Sequence, residues 1–175
     1  MSKKIGVYIC ECGTNISDRI DIDRVIAAIS SLENVGLVKK YGLLCSPAGK
    51  KYLAEEIKKE ELTHLVIGAC SPREHEQTFM KVCLEAGLNP YLFQMVNIRE
   101  QCAWMISDKE AATRLAIKYM QAGIKRVALH KSLEKIELES NPDVLVIGGG
   151  ISGIEASLSL AGPERKIYLV EKTAA

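Results

Sequence analysis

The chain has 175 residues, 47 % of them apolar and 26 % charged, with 23 basic against 22 acidic side chains and a formal net charge of +1. That balance fits a globular chain with an ordinary core and excludes a strongly basic nucleic-acid footprint or a membrane-surface patch. No apolar run approaches the roughly 18 residues of a membrane span, and the opening MSKKIGVYIC lacks a signal-peptide core and cleavage site, so a cytoplasmic protein is expected.

Strand-like runs alternate with helix-length periodic segments. Lys4–Cys10 reads as a strand, and Asp21–Leu32 as a helix with Asp21 at its N-cap and Val25, Ile26 and Ile29 on one face. A second strand lies within Val35–Cys45, followed by a helix over Pro47–Lys59. His64–Cys70 is a third strand, and Pro72–Ala86 a helix closed by Gly87. Pro90–Val96 is a fourth strand, and Ile98–Ala122 a long helix ending at Gly123. Repeated strand–helix alternation implies parallel strands joined by right-handed crossovers. Residues 1–122 therefore read as an open, four-stranded α/β domain of Rossmann-like or flavodoxin-like type. Residues 123–142 read as a linker with one short extended segment. Residues 143–175 begin a second βαβ unit: strand Asp143–Ile147, helix Gly150–Leu160, strand Lys166–Val170. A Rossmann-type sheet needs more strands than this, so a fragment of a longer protein is expected.

Six cysteines are many for a reducing compartment, where such sets serve metal binding or catalysis more often than disulfides. Cys10 and Cys12 end the first strand, Cys45 the second and Cys70 the third, while Cys102 falls in the first turns after the fourth. In a parallel sheet these ends share one rim, the rim where open α/β folds bind ligands. Cys83 lies inside a helix and reads as structural. Cys-Ser-Pro occurs at Cys45–Pro47 and again at Cys70–Pro72. Serine suits an N-cap and proline the first helical position, so both cysteines stand just outside helix N-termini, which favour a thiolate. Ser71 and Glu74 have the spacing of a capping box. A dispersed cysteine set suits an iron–sulfur cluster, with a thiol–disulfide pair as the main non-metal rival. The paired C-x-x-C knuckles of structural zinc are absent. His75 and Glu76 are secondary candidates; His64 and His130 read as structural.

VLVIGGGISG contains G-x-G-x-x-G as Gly148, Gly150 and Gly153, after an apolar strand and opening a helix. Gly148 makes the tight turn, Gly150 lets backbone approach a pyrophosphate at the helix N-terminus, and Gly153 permits close helix–strand packing. Glu171 ends the next strand, where an acidic side chain bonds a ribose hydroxyl of FAD or NAD.

The stretches GVYICECG at 6–13, Cys45, GACSPREHEQTF at 68–79, GLNPYLFQMVNIREQCAW at 87–104, DVLVIGGGISGIEASLSLA at 143–161 and YLVEK at 168–172 resemble the N-terminal part of the A-type subunit of heterodisulfide reductase, an iron–sulfur flavoprotein family. The resemblance implies a domain carrying a [4Fe–4S] cluster, then a thioredoxin-reductase-like FAD domain whose site is incomplete here. It implies an electron-transfer module of an oxidoreductase complex acting on a sulfur group, with other subunits as partners and a homodimer left open. The 175 residues alone are not expected to be catalytic. Cys10, Cys12, Cys45, Cys70 and Cys102 are the implied ligands, five for four positions, with Cys12 taken as the spare. A cluster-free docking domain and an NAD-linked or thiol–disulfide oxidoreductase are the competing expectations.

Overall fold

A computed structural model describes residues 3–173 of the chain, which divides into two compact units between Leu133 and Glu134. The first unit runs β1 (Ile5–Cys10), α1 (Thr14–Ser17), α2 (Ile22–Ile29), β2 (Val35–Tyr41), α3 (Pro47–Lys59), β3 (His64–Ala69), α4 (Pro72–Glu85), β4 (Phe93–Asn97), a π-helical turn (Arg99–Ala103) and α5 (Lys109–Val127). Its four strands are parallel in the order β2-β1-β3-β4. This is the order of a flavodoxin-like sheet as far as its fourth strand. The chain leaves β1 toward β2 and leaves β3 toward β4, in opposite directions. The switch point is therefore the carboxyl end of the β1/β3 pair.

Side-chain alternation along the strands builds two cores. Ile5, Val7 and Ile9 of β1 pack with Val25 and Ile29 of α2 and with Ala116, Met120 and Ile124 of α5. Tyr8 and Cys10 point the other way, among Leu53 and Ile57 of α3 and Phe79, Val82 and Cys83 of α4. Cys83 is fully buried in that second core, as expected of a small hydrophobe.

Helix starts follow local chemistry. The side chain of Asp21 accepts from Arg24 N at 3.0 Å, and that of Asp108 from Ala111 N at 2.7 Å. Ser46 Oγ accepts from Gly49 N at 3.0 Å. Ser71 Oγ instead accepts from Arg73 N at 3.3 Å, so the expected capping box with Glu74 is replaced by a cap one residue earlier.

The segment after β4 departs from the expected single helix. Ala103 N donates to Ile98 O at 3.0 Å and Trp104 N to Arg99 O at 2.9 Å, five residues back, which makes a π turn. The helix restarts at Lys109 under its Asp108 cap and runs through Gly123 to Val127. Gly123 is no terminator: a Cβ there would stand 2.4 Å from Val96 Cγ2, so glycine lets α5 lie close on β4. The fourth strand starts at Phe93 rather than Pro90, because Asn89 folds residues 89–92 into a turn, its Oδ1 accepting from Tyr91 N at 3.0 Å. No hydrogen-bonded strand occurs between Ala128 and Asp143. The second unit contains β5 (Val144–Ile147), α6 (Ile151–Leu160) and β6 (Ile167–Val170), with β5 and β6 parallel. Among the described residues, no helix is long and apolar enough to cross a membrane.

Candidate functional site

Cys10 ends β1, Cys12 follows it and Cys70 directly follows β3, while Cys45 lies in the turn before α3, four residues past the end of β2 rather than at it. Cys10 closes β1 with its side chain buried on the α3/α4 face, and its Sγ lies 3.8 Å from Gly42 O. Cys12 follows in the left-handed region at φ 51°, a conformation that costs a non-glycine residue on the order of 1–3 kcal/mol. Asn15 holds this turn, its backbone and side-chain N–H groups both donating to Cys12 O at 3.2 and 3.1 Å. Cys45 sits half-buried just before the Ser46 cap of α3. Gly49 secures that approach, since a Cβ there would stand 2.2 Å from Leu43 O. Cys70 follows β3 and is buried.

Burial raises the Cys10 thiol, against backbone hydrogen bonds from Leu44 and Cys12 that lower it. Burial pushes Cys70 up to about 11, with Glu100, Cys12 and Cys10 adding and Arg99 opposing. Desolvation thus outweighs the helix start that favours a thiolate at Cys70. Cys102 behaves differently. It is fully buried in the π turn, packed in the α2/α5 core, and burial alone pushes its thiol up to about 11.

Arg99, which sequence reasoning passed over, lies against the set. Its Nη1 donates to Cys12 Sγ at 3.2 Å, its Nε and Nη2 donate to Glu100 Oε1 at 3.2 and 2.8 Å, and its guanidinium stacks 4.7 Å from the Trp104 ring centroid. Burial works against its charge, but the hydrogen bonds to Cys12 and Glu100 outweigh that and raise its pKa. The only hint in the sequence was an Arg-Glu pair directly after a strand end. His75 packs edge-on against Phe79, and Glu76 is exposed on α4.

No three described His, Cys, Asp or Glu side chains stand close enough together to hold a single metal ion. Soft thiols from strand ends at a switch point are the donor type an iron–sulfur cluster takes.

In the second unit, Gly148 has φ 108°, open to glycine and strained for other residues. A Cβ on Gly153 would stand 1.9 Å from Gly148 O, so the helix presses on the turn as the motif requires. A Cβ on Gly150, the N-cap of α6, would project into open space. That space adjoins the free N–H groups of the helix start, as a pyrophosphate needs. Glu171 reaches back to this turn. Its Oε2 accepts from Gly149 N at 2.6 Å and its Oε1 from Lys172 N and Thr173 N at 2.7 and 3.1 Å, bonds that lower its pKa.

The architecture is that of an open, doubly wound α/β protein with a cysteine-lined switch point, followed by a dinucleotide-type βαβ unit. The chain is a homologue of the A-type subunit of heterodisulfide reductase and corresponds to a segment of that larger polypeptide. It is 43 % identical over 97 % of its length to the A-type subunit of the ferredoxin/F(420)H(2)-dependent CoB-CoM heterodisulfide reductase of Methanosarcina acetivorans, of which it covers 21 %. It is 43 % identical, again over 97 % of its length, to an A-type iron-sulfur subunit of the CoB–CoM heterodisulfide reductase of Methanopyrus kandleri, covering 26 % of that protein. Against the A-type subunit of the H(2):CoB-CoM heterodisulfide,ferredoxin reductase of Methanothermobacter marburgensis the identity is 41 % over 97 % of the chain and 26 % of the relative. The chain thus spans about a quarter of the length of the curated relatives it matches. No protein-family model matches it.

Proposed function

We propose that the chain is an electron-relay module of a heterodisulfide-reductase-type complex, carrying a [4Fe–4S] cluster at the switch point and contributing the pyrophosphate turn of an FAD site. The reading is supported by the placement of Cys10, Cys12, Cys45 and Cys70 after the carboxyl ends of three adjacent parallel strands, in a homologue of proteins that include an iron-sulfur subunit. When bound, such a cluster takes up and releases one electron at a time.

Cys10, Cys12, Cys45 and Cys70 would supply the thiolates, with Cys102 rather than Cys12 the spare. Cys102 is fully buried in the α2/α5 core, whereas Cys12 is half-exposed and packs against both cores. Ligation must displace protons from buried thiols, so iron uptake strengthens as pH rises toward the raised values at Cys10 and Cys70. The N–H groups at the starts of α3 and α4 stand beside Cys45 and Cys70, where they can donate to cluster sulfurs. In the second unit, Gly148, Gly150 and Gly153 would receive the FAD pyrophosphate. Glu171 would exchange Gly149 N for a ribose hydroxyl. The neighbouring subunits of such a complex are the proposed partners.

Anaerobic reconstitution with iron and sulfide, followed by EPR of the reduced protein, tests the reading. Cys10→Ser, Cys45→Ser and Cys70→Ser are expected to lose iron and signal, while Cys83→Ala and Cys102→Ala keep both. A chain with all cysteines intact that assembles no reducible cluster overturns it.

A further inference from the structure

Arg99 is held more firmly than a surface arginine. Two of its nitrogens are fixed on Glu100 Oε1, its plane lies over Trp104, and only 19 % of its side chain is exposed. The third contact, Nη1 to Cys12 Sγ at 3.2 Å, is the only side-chain hydrogen bond to a cysteine sulfur among the described residues. Both partners sit on unusual backbone. Cys12 is left-handed, and Arg99 opens a π turn, a geometry concentrated at functional sites. Glu100, the counter-charge, is itself pinned, its N donating to Asn97 Oδ1 at 3.0 Å, while its Oε2 is buried with no hydrogen-bond partner. A buried carboxylate oxygen left unpaired is costly, so the pair is maintained against its own desolvation.

Resting on the proposed cluster, we infer that Arg99 is a positioning residue that sets the cluster's reduction potential, its guanidinium fixed on Cys12 Sγ by Glu100 and Trp104. Reduction adds negative charge to the cluster. A fixed cation on a ligand sulfur stabilises the reduced form and raises the potential; Glu100, one residue away, partly cancels it. Hydrogen bonds and charge beside cluster sulfurs are established levers on potential. The fork of guanidinium nitrogens suits this task, because one edge can grip Glu100 while another donates to sulfur.

The test is an EPR-monitored redox titration of the reconstituted full chain and three variants. Arg99→Gln is expected to lower the midpoint by about tenfold in the reduction equilibrium, about 59 mV for one electron. Arg99→Lys, which keeps the charge, is expected to fall less than Arg99→Gln. Glu100→Gln, which keeps an acceptor oxygen for Arg99 but removes the counter-charge, is expected to move the midpoint the opposite way, upward, which loosened packing would not do. Equal falls in the two Arg99 variants, an unchanged midpoint in Arg99→Gln, or no rise in Glu100→Gln overturns the inference. If Arg99→Gln takes up no iron, Arg99→Lys against wild type decides: a lowered midpoint supports the inference and an unchanged one overturns it. A wild-type chain that forms no cluster refutes the proposed function instead, which separates the two failures.

Discussion

At the foot of β3, His64 is buried, its Nδ1 within 3.0 Å of Thr63 Oγ1. Burial lowers its pKa, and the nearby Lys3 and His130 charges add to this, against an opposing contribution from the His130 backbone. In the unfolded chain the imidazole titrates near 6.5. Between the two values the unfolded state binds the extra proton, so stability rises with pH there. The domain therefore has its full stability above about pH 6.5 and loses it as pH falls toward the depressed folded value. Denaturant melts at about pH 7.5 and about pH 5.5 check this. His64→Met is expected to shrink the loss between the two, and an unchanged difference would show that His64 does not titrate on unfolding. This ionisation lies at the opposite end of β3 from Cys70, so it can be read without the cysteines. The same balance of burial against local charge operates at Cys70, where burial outweighs Arg99 and pushes the thiol up to about 11.

The packing of α5 on β4 turns on one missing methyl group. A Cβ at Gly123 would meet Val96 Cγ2 at 2.4 Å, and both atoms belong to the packed interior. Gly123→Ala gains about 1 kcal/mol of helix propensity but overpacks by about 1–3 kcal/mol, so a net loss is expected. Val96→Ala combined with it should recover part of that loss in a double-mutant cycle; strict additivity would mean that the close approach does not matter. Gly123 also marks the limit of what the sequence tells. As a residue type it reads as a helix end; only the neighbouring strand reveals that it is a spacer. The Ser-Pro starts of α3 and α4 were legible because cap, proline and hydrophobic period agree locally. Cysteines at the ends of β1 and β3 were legible for the same reason, since a parallel sheet sends those ends to one rim. Cys102 was not. Its direction depends on five-residue hydrogen bonds at Ile98 and Arg99, and a π turn has no residue signature comparable to a cap. The Arg99–Cys12 contact spans 87 positions and follows from the β1/β3/β4 order, which strand patterns do not specify.

The two units differ in how much of themselves they bury. The first has a two-sided core around β1 and β3, whose strands are buried throughout. The second buries no residue of α6, and it exposes Ile147 by 82 % and Ile151 by 83 %. Four-residue strands and one helix are too little to exclude water from both sheet faces. Backbone amides of β1 and β3 should then exchange slowly and those of β5 and β6 rapidly, because protection follows buried apolar contact. Since the cysteines all lie before Leu133, a chain ending there is expected to fold and to take up the same iron as residues 1–175. The proposed flavin site depends instead on the glycine turn. A side chain at Gly150 would enter the open space before α6 without touching the protein, so Gly150→Val is expected to leave the thermal melt and iron content unchanged while weakening FAD binding. Fluorescence titration with FAD measures the second effect and iron analysis the first. Loss of iron in the shortened chain would mean that the second unit helps to build the cluster site. Equal FAD affinity in wild type and Gly150→Val would mean that the pyrophosphate does not lie at this turn.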